Sequence, residues 1–188
     1  MKAKKPTELL EEEHRIIMKV VDAMAGMAGA LEDGKQVAVH TLQSAVTFMR
    51  TYADKCHHGK EEDFLFPLLE ARGVPATGCP LGALLHEHQT GRLLVVNLEE
   101  ATQAYAIEDS HETRIKLAMV LRQLMKLYPE HIRKEDYLAF PMTNKVLSAE
   151  DQQNLRQWFA GVDAAIGQNA LNKQMAWAES ISQPKAMF

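Results

Sequence analysis

The chain uses one segment twice. His57-His58-Gly59-Lys60-Glu61-Glu62-Asp63-Phe64-Leu65-Phe66-Pro67 returns as His131-Ile132-Arg133-Lys134-Glu135-Asp136-Tyr137-Leu138-Ala139-Phe140-Pro141. Aligned without a gap, the copies share His, a Lys three residues on, a Glu four on, and a Phe-Pro ending; a second acid, Glu62 or Asp136, follows each Glu. On a helix, a His and a Glu four apart lie one turn above each other on the same face. Each copy therefore offers an imidazole nitrogen and a carboxylate to one point in space. Two such pairs facing each other across a helical bundle supply two nitrogens and up to four oxygens, and the carboxylates are able to bridge two cations. A lone His-x-x-x-Glu is ordinarily a solvated ion pair. Repetition with the same ending sets this one apart.

The surrounding hydrophobic pattern sharpens the argument. At about 100° per residue, Val46, Ala53, Phe64 and Leu68 fall on the side of His57 and Glu61. The same rotation gathers Leu117, Leu124, Leu127, Leu138 and Met142 beside His131 and Glu135. A carboxylate in an apolar stripe is costly unless something compensates it. A metal ion is the simplest compensation.

With 188 residues, the chain is expected to form one domain with a sizeable core. Hydrophobic residues make up 46%, charged residues 24%, and the formal net charge is −4, which argues against a nucleic-acid-binding surface. The basic start, Met1 to Lys5, has no apolar stretch behind it, and Glu11, Glu12 and Glu13 follow, so neither a signal peptide nor a membrane span is expected. Two cysteines are too few for a disulfide framework and fit a reducing cytoplasm. Strand signals are weak, and the fold class expected is all-α.

In order, the first helix is expected from Thr7, as N-cap, towards Ala30, with His14 among Leu10, Met18, Val21, Ala25 and Ala28. Taken alone, His14 reads as a core histidine more readily than as a ligand. Helix two, roughly Val37 to Glu70, carries the first copy, and Pro67 is expected to kink or shorten it. Helix three, about Leu81 to Tyr105, presents His88 with Leu81, Leu84, Leu85 and Val95, while His86 points to the polar side. Helix four, from near Ser110 to about Val146, carries the second copy and holds Pro129. Tyr128, one turn before His131, reads as a core tyrosine, with a hydrogen bond towards the metal pocket as the alternative. Ser148-Ala149-Glu150-Asp151 opens a fifth helix with Leu155, Trp158, Phe159, Val162 and Ile166 on its apolar side. The last twenty or so residues, Trp177 included, are expected to cover one end of the bundle, associate with a second chain or fray. Cys56 and Cys79 read as ordinary buried thiols.

Glu13-His14-Arg15-Ile16-Ile17, the His57 segment, Glu87-His88-Gln89-Thr90-Gly91-Arg92 and the His131 segment together resemble the hemerythrin-like family, the HHE cation-binding domains. The resemblance covers about Glu11 to Val146. It implies an up-down antiparallel four-helix bundle over residues 1–147; residues 148–188, beyond it, are expected to form a helical extension packed on the bundle or associating with it. It also implies a centre of two non-haem irons joined by an oxo or hydroxo bridge. His14, His57, His88 and His131 would be terminal ligands, with Glu61 and Glu135 bridging. Zinc suits the same donors and is the alternative metal. The respiratory members place two histidines four apart on the third helix; here Leu84 and Arg92 flank His88. They also carry an Asp five residues after the last-helix His, where this chain has Glu135 at four. The chain is thus nearer a symmetric His-Glu type than the oxygen carriers.

The function expected is a cytoplasmic di-iron protein that binds or senses O2, NO or peroxide. The alternatives are a redox enzyme of peroxidase, NO-detoxifying or iron–sulfur-repair type, and a zinc or single-metal interaction module. A homodimer through the C-terminal extension is a further expectation. His40, His58, His86 and His111 are expected to be dispensable; the face of His58, with Thr51 and Asp54, is more polar than that of His57, and the second copy has Ile132 in its place. With four histidines and two bridging carboxylates, an open position is expected on each metal.

Overall fold

The structure, a computed structural model, describes residues 3–182 and is helical, with no strand among the described residues. Helix α1 (Pro6–Glu32) starts on Pro6, whose fixed φ suits the first helical position, and the Glu8 carboxylate accepts from the Lys5 amide at 2.7 Å. Thr7 is therefore inside the first turn and not its cap; its hydroxyl accepts from Asn144 Nδ2 at 3.1 Å. Gly34, at φ 74°, supplies the left-handed turn after α1.

The second rod is α2 (Val39–Phe48), a π-helical stretch (Met49–His58), a π turn (Glu61–Leu65) and α3 (Phe66–Ala71). The third is α4 (Leu81–Ile107). The fourth is α5 (His111–Lys134), a π turn (Glu135–Ala139) and α6 (Phe140–Val146), with Ser110 accepting from the Thr113 amide as N-cap.

The two Phe-Pro endings explain the two π turns. Proline has no amide donor, and its ring collides with the carbonyl four residues back. Just before each proline the bonding widens: Phe66 N–H donates to the Glu61 carbonyl and Phe140 N–H to the Glu135 carbonyl, five residues back. Pro67 thus marks a dilation, with the helix running on to Ala71. Dilation also moves the apolar face by one position. Beyond the first turn Leu65, Phe66 and Leu69 are buried, while Phe64 and Leu68 are only partly covered. Beyond the second, Ala139, Phe140 and Thr143 are buried, while Leu138, expected on the inner face, is 53% exposed.

Helix α1 packs along α5 and the Met49–His58 stretch, and α4 along α5 and α2. Buried side chains form two apolar clusters. The larger holds Ile17, Val21, Met24, Phe48, Met49, Leu98, Leu121 and Leu124; the smaller holds Leu10, Leu65, Phe66, Leu84, Phe140, Leu155 and Phe159. Along each rod the chain passes from one cluster to the other across a charged or imidazole-bearing position: Leu10 to Ile17 across His14, and Leu84 to Val95 across His88.

Beyond the fourth rod, α7 (Ala149–Ile166) begins at a reciprocal capping box. Ser148 Oγ accepts from the Asp151 amide at 3.1 Å, and Asp151 Oδ2 accepts from the Ser148 amide at 3.0 Å. Asp151 also accepts two hydrogen bonds from Arg72, at 3.0 and 2.6 Å. Leu155 and Phe159 are buried as expected, whereas Trp158 is half exposed beside Phe64. After Gly167 (φ 96°), α8 (Gln168–Ile181) lays Leu171, Ala178 and Ile181 against the larger cluster, with Trp177 near Phe48. Residues 183–188, part of the segment expected to cover, associate or fray, lie outside the described residues. Cys56 is buried, but Cys79 is exposed, contrary to the reading of both as buried thiols.

Two stability measurements check this account. Phe159→Ala leaves a cavity in the smaller cluster and is expected to lower the unfolding free energy by about 3–5 kcal/mol in urea titrations. The Arg72 guanidinium holds the Asp151 carboxyl at about 2, below the ordinary 3.8. A lowered carboxyl stabilises fully above the unfolded value and loses its effect as pH falls through the folded one. The stability difference between wild type and Asp151→Asn is therefore expected to be constant above about pH 5 and to shrink towards zero near pH 2.

Candidate metal centre

Of the eight histidines, His40, His86 and His111 are exposed, and the other five are buried with Glu61 and Glu135 between the two apolar clusters. The donors fall into two groups, His14, His57, Glu61 and Glu135 in one and His58, His88 and His131 in the other, the atoms within each lying within 4.8 Å of one another. His14 Nε2 lies 2.9 Å from His57 Nε2, and His88 Nε2 lies 3.2 Å from His131 Nε2.

The glutamates tie the groups together. Glu135 Oε2 is 3.1 Å from His14 Nε2, while its Oε1 is 3.2 Å from His131 Nε2 and 3.5 Å from His88 Nε2. Glu61 Oε2 is 3.7 Å from His57 Nε2 and 3.5 Å from His88 Nε2. None of these carboxylate oxygens has a hydrogen-bond partner, and neither has His58 Nε2. Their lone pairs converge on a shared interior.

The outer nitrogens explain why. His57 Nδ1 faces Glu13 at 3.0 Å, His88 Nδ1 faces Glu62 at 2.6 Å, His131 Nδ1 faces Glu87 at 3.1 Å, and His14 Nδ1 faces Asp136 at 2.8 Å. His58 Nδ1 faces Asp54 at 3.3 Å. A carboxylate can only accept, so each Nδ1 carries a proton; His57 and His58, held neutral, then present Nε2 as a bare lone pair. His14 Nε2 and His57 Nε2, 2.9 Å apart, either share a proton or give way to a cation held between them and the carboxylates. The donor set fits metal ions.

Electrostatics show that protons hold the site together in the metal's place. Burial, then the charge of Glu135, push the Glu61 carboxyl well above its ordinary range. Burial acts on Glu135 likewise, but the imidazoles of His131, His14 and His88 outweigh it and hold that carboxyl low. Burial keeps His57 neutral, as does the neighbouring His14, and lowers His58 to about 3, assisted by His88 and opposed by Asp54. Burial opposes protonation of His14, but Asp136 and Glu135 outweigh it and raise it to about 9.

All six residues singled out from the sequence, His14, His57, Glu61, His88, His131 and Glu135, are brought into this interior. His58 is brought there too, against the expectation of a polar face; it is 3% exposed and its ring stacks on His88 at 3.8 Å. The cause is local backbone geometry. Within the π-helical stretch Met49–His58, successive side chains are separated by less than the α-helical angle, so His57 and His58 both turn inward. An available signal was Asp54, one turn before His58 and matched to its Nδ1. Arg92 Nε then donates to Asp54 and an Arg92 Nη to Glu62, each at 2.8 Å, bracing the partners of His58 and His88. Tyr128 is buried, its ring parallel to His58 at 6.4 Å.

The sequence profile of the hemerythrin HHE cation binding domain matches residues 5–143, and the chain belongs to this family. Uncharacterized proteins of Mycobacterium tuberculosis and Mycobacterium bovis are each 26% identical to it over 154 residues, which is 82% of this chain and 59% of theirs. The chain thus spans about three fifths of the length of these relatives. No solved structure matches it.

His58→Ala is expected to weaken binding of ferrous or zinc ion at least about tenfold, as His57→Ala does, while His86→Ala leaves it unchanged. Equilibrium dialysis of the metal-free protein measures all three; unaltered binding by His58→Ala returns His58 to a packing role.

Proposed function

We propose that this chain is a non-haem di-iron protein, built as an up-down antiparallel four-helix bundle, that binds O2, NO or peroxide. The observation that carries the reading is the pair of donor groups joined by Glu61 and Glu135. His14 and His57 would hold one iron, His58, His88 and His131 the other, and the two glutamates both. With both glutamates shared, the His14 group offers four donors and the His58 group five, and the fifth exceeds the four that zinc prefers, which favours iron. When bound, the metals supply redox chemistry and an exchangeable position for a small ligand.

The chain's own residues decide where that position lies. The two copies of the repeat differ at His58 and Ile132: where one presents an imidazole, the other presents an alkyl group. The His14 group therefore has one donor fewer. One opening, in place of one on each metal, follows from this reading, because His58 would supply a fifth imidazole. Outside Ile132 lies a cavity of about 480 Å³ lined by Glu11, His14, Met18, Asp136 and Tyr137, which gives a small molecule a short way in. Five neutral imidazoles and two carboxylates leave two ferrous ions with a net charge of about +2, a poor environment for high-valent iron. That favours reversible binding, sensing or two-electron chemistry over oxygenation of C–H bonds.

The test is to load the metal-free protein with ferrous iron under anaerobic conditions, count the metal, admit air and titrate azide. Two irons per chain and a saturable azide spectrum are expected. Ile132→His, which restores the imidazole the repeat lacks, is expected to keep both irons and weaken azide binding at least about tenfold. Stoichiometric zinc in place of iron, or undiminished azide binding by Ile132→His, overturns the reading.

A further inference from the structure

Helix α7 lies beyond the residues matched by the HHE domain, yet one of its side chains joins the hydrogen-bond network of the centre. Asp163 Oδ1 is 2.6 Å from Lys60 Nζ. Lys60 also donates to Glu13 Oε1, and Glu13 Oε2 takes the Nδ1 proton of His57 at 3.0 Å. The Lys60 side chain is only 3% exposed, so its ammonium depends on these two carboxylates, with the Phe159 ring 6.0 Å away. Glu13, Cys56 and Asp163 by themselves have the spacing of a cation site, but the lysine ammonium already serves as the cation there.

The other half of the repeat is an internal control. Lys134 donates to Glu87, and Glu87 takes the Nδ1 proton of His131 at 3.1 Å, matching Lys60, Glu13 and His57. Lys134 is 30% exposed, and Glu87 is its one carboxylate partner among the described residues. Water solvates Lys134, where α7 covers Lys60.

We infer that Asp163 is a positioning residue of the centre, acting on His57 through Lys60 and Glu13. This inference rests on the reading that the histidine and glutamate groups hold metal. Asp163 shares the positive charge of Lys60 and so leaves Glu13 more basic towards the His57 N–H. A stronger acceptor on Nδ1 makes Nε2 a better donor. With Asp163 neutralised, the ammonium draws wholly on Glu13, the Glu13–His57 bond weakens, and His57 becomes a poorer ligand. The His131 side is unaffected. The extension thereby makes the two halves of a repeated site chemically unequal.

Two readouts on the full chain test this. In the iron-loaded protein, Asp163→Asn is expected to bind the same amount of iron but to release about half of it to a ferrous chelator about tenfold faster, the rest leaving at the wild-type rate. Asp163→Glu is expected to restore slow release. Leu155→Val loosens the same helix while keeping the carboxylate and the Phe159 ring, and is expected to release iron as wild type does. In the metal-free protein, the Nδ1 proton resonance of His57 is expected to move upfield in Asp163→Asn while that of His131 stays in place. An unmoved His57 resonance overturns the inference, and so does equal acceleration by Leu155→Val. If wild type takes up no iron, the di-iron reading fails and the proton resonance still decides the coupling.

Discussion

Two carboxylates and five imidazoles aimed at one dry interior are the constraint to which the rest of this fold answers. Glu61 and Glu135 are fully buried, and none of their oxygens is hydrogen-bonded. In apolar surroundings such groups lose their charge or gain a cation. The apolar clusters on either side exclude water and also fix the height of each donor along its helix. The outer carboxylates fix its rotation, because an imidazole whose Nδ1 proton is engaged cannot turn its Nε2 lone pair away. Packing sets where the donors stand, and hydrogen bonding sets where they point.

The internal repeat shows which parts of this arrangement are general and which are particular. Glu13 and Glu87, His14 and His88, His57 and His131, Lys60 and Lys134, and Glu61 and Glu135 are all related by the same 74-residue offset. Three departures from the repeat lie together in space: His58 for Ile132, Asp54 for Tyr128, and Arg92 for Met18. Asp54 accepts from His58, and Arg92 donates to Asp54. A buried imidazole needs an acceptor for its outer proton, and a buried acceptor needs a donor in turn. The fifth histidine is therefore one supported unit of three residues. Its absence from the other half leaves that donor group one imidazole short.

Much of this was legible from periodicity. His57 with Glu61 and His131 with Glu135 could be paired by the α-helical angle, and His88 placed on an apolar stripe, whereas His14 read as a core histidine and joined the set through the family resemblance. His58 could not, since that angle fails inside the Met49–His58 stretch. The same failure misplaced Phe64, Leu68 and Leu138 on the inner face. A Phe-Pro pair following a helix that does not stop is a visible sign of a widened turn, and both copies carry it. Asp163 was illegible for another reason. Its partner Lys60 is distant in sequence, and no local pattern says which helix comes to cover a buried ammonium.

The widened turns also let neighbouring residues serve different histidines. Glu61 points inward while Glu62 holds His88 on α4; Glu135 points inward while Asp136 holds His14 on α1. Glu13 on α1 holds His57 on the second rod, and Glu87 on α4 holds His131 on the fourth. Read in order, the four bonds close a ring: first rod to second, second to third, third to fourth, and fourth back to first. Each rod gives one carboxylate to the next and takes one from the last. Displacing any rod breaks two of these bonds and misdirects two imidazoles at once. Binding of a cation at the centre of the ring is therefore felt by all four rods, so the free energy of metal binding becomes free energy of folding.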